Sequence, residues 1–143
     1  MRTEEMIAAL TGKDTKLGCD CYELLMELSA RSPEVYETYW DAFAGMLDHP
    51  NAYTRIRSFG LIVRNARWDA AGRLDADALL AHVFDIKPIV TRKHVELLPE
   101  LVGAKPDLRP RIRRTLENAD LSEYADSMRP LVEKDCQAVL QAL

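Results

Sequence analysis

Residues Met46–Ala66 read MLDHPNAYTRIRSFGLIVRNA. An apolar pair, Met46 and Leu47, is followed by Asp48, a Pro50-Asn51 turn, and an arginine-bearing segment whose apolar residues recur at helical spacing. That order predicts the end of one helix, a tight turn and the start of an antiparallel partner. In the partner, about Ala52 to Arg67, the residues Ile56, Phe59, Gly60, Ile62, Val63 and Ala66 share one side.

Working outward, the same organisation returns. Glu4 to Leu10 is a short apolar-periodic segment stopped at Thr11-Gly12. From about Lys16 to Arg31 a longer helix follows, with Leu17, Cys21, Leu24, Leu25 and Leu28 on one face. Ser32-Pro33-Glu34 is a start signal for a third helix through Tyr36, Tyr39, Trp40 and Phe43: a cap, a proline whose missing N–H costs nothing, and an acid at the positive helix end. After a connection containing Gly72, Asp75 caps a fifth helix with Leu79, Leu80, Val83 and Phe84 as its core face. Lys87-Pro88 opens a sixth, stopped by Gly103, with Pro99 expected to bend it. Lys105-Pro106-Asp107 begins a seventh carrying Leu108, Ile112 and Leu116. Asn118 to Asp126 reads as a longer polar connection, and Ser127 as the cap of a last helix with Met128, Val132, Cys136, Val139, Leu140 and Leu143 as its stripe.

No segment alternates as a strand, so the expected class is all-α. Leu10, Leu47, Val83 and Leu116 each sit at the end of the shorter helix of a pair, separated by 37, 36 and 33 residues. Such a hairpin cannot bury its apolar faces alone and stacks on the next. The expectation is a single domain over 1-143, an α-α superhelix of four antiparallel hairpins at about 1-31, 32-68, 69-104 and 105-143.

A chain of 143 residues with 48% hydrophobic content is long enough for a core that needs no disulfide or metal. Its net charge of -4 argues against a polycation that coats nucleic acid. Lys and Arg against Asp and Glu number 4 to 10 over residues 1-50, 13 to 7 over 51-114, and 2 to 6 over 115-143. The blocks are either stabilising neighbours in a stack or a basic middle turned to an acidic partner. The acidic start, Met1-Arg2-Thr3-Glu4-Glu5, leads directly into a helical pattern, and no apolar run reaches the length of a signal or membrane segment. A cytoplasmic chain without membrane contact is expected.

The second hairpin resembles HEAT-type helical repeats. Leu47-Asp48-His49-Pro50-Asn51 with Arg55 is similar to that family's leucine, aspartate, proline turn and arginine-bearing second helix, and Ile56-Arg57 with Phe59, Gly60 and Val63 fits the pattern in a second register. The resemblance implies that Asp48 and Arg55 form part of a ladder between stacked repeats. The third repeat keeps Pro88 and Val90 but has Phe84 and Thr91 at the ladder positions. HEAT repeats as a class imply scaffolding and protein binding, and a minority bind or repair DNA. The runs Arg55 to Trp68 and Ala119 to Asp135 look like small bacterial HEAT-like proteins of unassigned role, some linked to iron–sulfur assembly.

Chemistry-bearing constellations are sparse. Cys19 and Cys21, two apart on a helix, point away from one another, which makes a core Cys21 and an incidental surface Cys19 the simpler reading. Cys136 and His94 each fall in an apolar arc, and no His-x-x-x-His pair, phosphate loop or nucleophile elbow occurs. Neither catalysis, nor a cofactor, nor a bound metal is expected. Two surfaces remain. Arg57, Leu61, Arg64, Asn65 and Trp68 form a stripe opposite the core arc of the fourth helix; the HEAT resemblance implies that it faces a protein partner on the concave side, and the other reading is that Leu61 and Trp68 pack on the neighbouring second helix. Lys105, Arg109, Arg111, Arg113 and Arg114 spread around the seventh helix as a solvated face or a phosphate contact. The leading functional expectation is a non-enzymatic protein-interaction or scaffold module. The alternative is a nucleic-acid-binding domain using the basic middle, and a weaker one is a metal or iron–sulfur accessory role through Cys19.

Overall fold

The computed structural model describes residues 1–143 and is all-α, without a strand. Its helices are α1 (Thr3–Ala9), α2 (Thr15–Arg31), α3 (Glu34–Gly45), α4 (Ala52–Asn65), α5 (Ala76–Ala81), α6 (Pro88–Ala104), α7 (Arg109–Glu117) and α8 (Arg129–Ala142). Short 3-10 turns, Ala66–Trp68 and Pro106–Leu108, extend α4 and precede α7. No helix is long and apolar enough to cross a membrane.

Local chemistry accounts for most of the boundaries. Asp14, Asn51 and Asp75 each accept a hydrogen bond from a first-turn amide, of Leu17, Tyr53 and Ala78 at 3.0, 2.8 and 3.0 Å. Ser32 Oγ accepts from Glu34 N at 3.2 Å, and Pro88 occupies the first position of α6. Ser127 is not the cap of the last helix. Met128 holds that position, and α8 begins at Arg129, whose amide is already bonded to the Ala125 carbonyl.

Leu10, Leu47, Val83 and Leu116, the residues that mark the repeat, are all buried. The chain divides into two compact units, Met1–Arg73 and Leu74–Leu143, each holding two of the helix pairs. The division follows Arg73 rather than Trp68 because Asp69 ties the intervening turn to the first unit. Its carboxylate accepts from the Tyr36 hydroxyl at 2.6 Å and from the Arg73 amide at 2.8 Å, while Gly72 takes the left-handed conformation, φ +74°. In each unit the second helices of the two pairs lie against one another: α2 on α4, and α6 on α8.

One face differs from the expected one. Cys21 and Leu25 of α2 are buried as expected, but Leu17 and Leu24 remain exposed and Leu28 half-buried, and Gly18, Met26 and Ser29 are buried in their place. A Cβ at Gly18 would collide with the Arg57 guanidinium and lie 2.9 Å from the Ala9 carbonyl, and one at Gly60 of α4 would collide with the Tyr22 hydroxyl of α2. The two glycines, one on each helix, leave the room that the Arg57 and Tyr22 side chains fill between α2 and α4.

Candidate functional site

The stripe Arg57, Leu61, Arg64, Asn65 and Trp68 does not form an open surface. Leu61 and Asn65 are fully buried, Arg57 is only 4% exposed, and Arg64 and Trp68 are half-buried. Of the two arrangements open to it, the stripe takes packing against the preceding second helix. The reason is the unsatisfied end of α2, whose last carbonyls have no partner within the helix. Trp68 Nε1 donates to the Ser29 carbonyl at 2.7 Å and Arg67 to Ala30 O at 3.2 Å, while one turn earlier Arg64 adds a second donor to Met26 O at 3.3 Å. Asn65 Nδ2 donates to Ser29 Oγ at 3.0 Å and to the Leu61 carbonyl at 2.8 Å. Cations at a helix C-terminus are also favoured by its dipole.

Arg57 does the same for the end of α1. It donates to Leu10 O at 3.2 Å and Thr15 O at 3.1 Å, Thr54 Oγ1 reaches Leu10 O at 2.7 Å, and the Tyr53 ring lies 5.5 Å from the guanidinium carbon. Arg55, the ladder arginine of the HEAT resemblance, is half-buried and donates to the His49 and Pro50 carbonyls at 3.0 Å, and Asp48 is exposed. The most deeply buried arginine of α4 is therefore Arg57, in the second of the two registers.

The second unit has an open groove. Between α6 and α8 lies a cavity of about 540 Å³ lined by Ile89, Val95, Pro99, Ala138, Val139 and Ala142, with Arg92, Lys93, Glu96 and Asp135 completing its walls. Arg92 Nε meets Asp135 Oδ2 at 2.6 Å across it, and that ion pair raises the arginine's pKa further. Ile89 is 63% exposed and Ile86, just before α6, 88% exposed. Sequence reading passed over these residues, yet a signal was present: Ile89 is apolar and lies off the Val90, Leu98, Leu101 arc of its own helix.

A second cavity of the same unit, about 550 Å³, lies under the 118–128 connection and has Cys136 among its walls, together with Leu116, Leu121, Arg129 and Glu133. Two side chains fasten that connection. Arg129 donates to the carbonyls of Leu121, Ser122 and Tyr124 at 3.1, 3.3 and 2.7 Å. The Tyr124 hydroxyl donates to Asp85 O at 2.6 Å and lies 2.7 Å from Thr91 Oγ1, which accepts from the Asp85 amide at 2.7 Å. Burial pushes the Cys136 thiol up to about 11.

The basic helix α7 is partly neutralised. Arg111 pairs with Asp77, and Arg113 with Glu117 at 3.8 Å. Arg109 and Arg114 are exposed, and Lys105 is half-buried at the turn before the helix. The histidines serve turns: His49 Nδ1 accepts from Asn51 N at 3.0 Å, His82 Nδ1 lies 2.6 Å from Ala78 O, and His94 Nδ1 faces the carbonyls of His82 and Val83 at 2.8 and 3.3 Å. With two acceptors before it, that nitrogen of His94 carries the proton. Cys19 is exposed and Cys21 buried, so their thiols leave α2 on different sides, and no three His, Cys, Asp or Glu side chains gather closely enough to hold a metal ion. No protein-family model, curated protein or solved structure matches the chain.

Proposed function

We propose that this chain is a non-enzymatic protein-interaction module of the HEAT-like kind, and that its partner docks in the α6–α8 groove rather than on the α4 stripe. The groove itself carries the reading: an apolar floor of Val95, Pro99, Ala138 and Val139, an isoleucine left 63% exposed at its edge, and charges of both signs around it. An exposed aliphatic side chain beside a concave apolar floor is the composition of a helix-in-groove interface. Lys93 and Glu96, three residues apart on α6, supply one charge of each sign along the rim. The occupant that fits is an amphipathic helix of a partner protein, its aliphatic residues on the floor and its flanking charges opposed to Lys93 and Glu96.

The experiment is affinity purification with partner identification, using the wild-type chain and the variants Ile89→Asp and Ala138→Arg. Both positions are at the surface, so circular dichroism should be unchanged. A direct partner is lost from both variants, and a partner retained by both overturns the assignment. The alternative, nucleic-acid binding, draws on Arg109 and Arg114, which form no ion pair. It is established instead if a low-salt gel shift is abolished by Arg109→Glu with Arg114→Glu.

A further inference from the structure

The first unit carries a second surface, on α2. The leucines expected in the core, Leu17 and Leu24, are 38% and 51% exposed, and Leu28 is half-buried on the same stripe. They are not scattered. Cys21 lies one turn from each of the first two, and Met1, itself 67% exposed, rests on it with its sulfur 3.5 Å from Cys21 Sγ. Met1, Leu17, Leu24 and Leu28 thus make one apolar strip along a helix that packs on α4 through Gly18, Tyr22 and Ser29.

The strip has an acidic border. Asp20, Glu23 and Glu27, at i, i+3 and i+7, form the next stripe of the same helix, and all three are exposed. Asp20 is paired with Lys16 at 3.0 Å, whereas Glu23 and Glu27 form no ion pair. On the α1 side, Glu4 and Glu5 are exposed, both reached by Arg2. Arg31, at the far end of α2, is the exposed cation that follows. Apolar contact flanked by carboxylates recruits a helix with the inverse pattern, and a thioether beside leucines adapts to varied side chains.

We propose that the Met1–Leu17–Leu24–Leu28 strip docks a cationic amphipathic helix, its leucine-like face on the strip and its lysines or arginines on Glu23 and Glu27. This is a second binding surface, independent of the α6–α8 groove.

The test uses the full chain and two labelled synthetic helices with the same leucine face, one carrying lysine and the other glutamate on its polar side, followed by fluorescence anisotropy. The lysine helix binds saturably and more weakly as salt is raised. The double variant Glu23→Lys, Glu27→Lys loses about tenfold in affinity for it and gains affinity for the glutamate helix. Leu24→Asp weakens binding while circular dichroism stays unchanged, and Ile89→Asp, in the other groove, has no effect. The proposal is overturned if both helices bind alike, if neither binds, or if the charge-reversed variant keeps the wild-type preference. It is also overturned if sedimentation shows that Leu24→Asp converts a dimer to a monomer, because the strip is then covered by a second copy of the chain.

Discussion

The α2–α4 seam of the first unit and the α6–α8 seam of the second are built on the same plan and finished differently. Each joins the second helices of two successive hairpins. In the first, Gly18 and Gly60 leave room for the Arg57 and Tyr22 side chains, Arg57, Arg64 and Trp68 donate to carbonyls across the contact, and Asn65 donates to the Ser29 hydroxyl. In the second, the Arg92–Asp135 pair bridges the helices and a groove of about 540 Å³ stays open. The first seam is filled by side chains that glycines accommodate and that find acceptors across it, whereas the second keeps a groove.

The comparison breaks first at Arg57. Arg57→Met removes the donor to Thr15 O and one of the two donors to Leu10 O, which Thr54 still reaches, and should cost about 1.5–3 kcal/mol in chemical denaturation. An undiminished midpoint would mean that the polar seam is incidental. Adding volume separates the seams next. Gly18→Ala meets the Ala9 carbonyl and should destabilise by about 1–3 kcal/mol, although alanine is the better helix former. Ala138→Leu, growing into the open groove, should stay within about 0.5 kcal/mol.

Tyr124→Phe sharpens the picture of the second unit. It removes the hydroxyl that fastens the 118–128 connection to Asp85 and Thr91, costs about 1 kcal/mol, and should raise amide exchange selectively in that connection. The smallest effect at neutral pH concerns the thiols. Iodoacetamide at pH 7.5 should modify Cys19 and spare Cys21 and Cys136. Burial raises the Cys136 pKa from 9.0 to about 11, so the folded state binds that proton more tightly. Its contribution to stability is complete below pH 9 and is lost as the pH climbs from 9 to about 11. A pH series of denaturation midpoints should show a larger alkaline loss in the wild type than in Cys136→Ala, which keeps the upward-shifted Cys21, Tyr36 and Tyr124.

Legibility followed the range of the interaction. Caps at Asn51 and Asp75, the proline start at Pro88 and the buried repeat marks Leu10, Leu47, Val83 and Leu116 are local or periodic features, and periodicity exposes them. The polar stripe of α4 was visible as a stripe, but its direction was not. A helix wheel shows that Arg57, Arg64 and Trp68 share a side, and cannot show that the carbonyl ends of α1 and α2 lie opposite it. On α2 the wheel places Cys21 and Leu25 in the core correctly, but hydrophobicity also favours Leu17 and Leu24, whereas the contact with α4 needs room at Gly18 for the Arg57 side chain. The groove residues Arg92 and Asp135 are 43 residues apart, on the second helices of successive hairpins, and no local rule joins them.

From the sequence alone came the helical class, the order and approximate limits of the elements and the repeat that pairs them, because spacing, capping and turn chemistry act within a few residues. Only the tertiary structure decided which seam closes and which stays open, and therefore where a partner has room to bind. That outcome depends on side chains far apart in the chain meeting across a helix pair, which a glycine or a carbonyl acceptor permits only once its neighbour is in place.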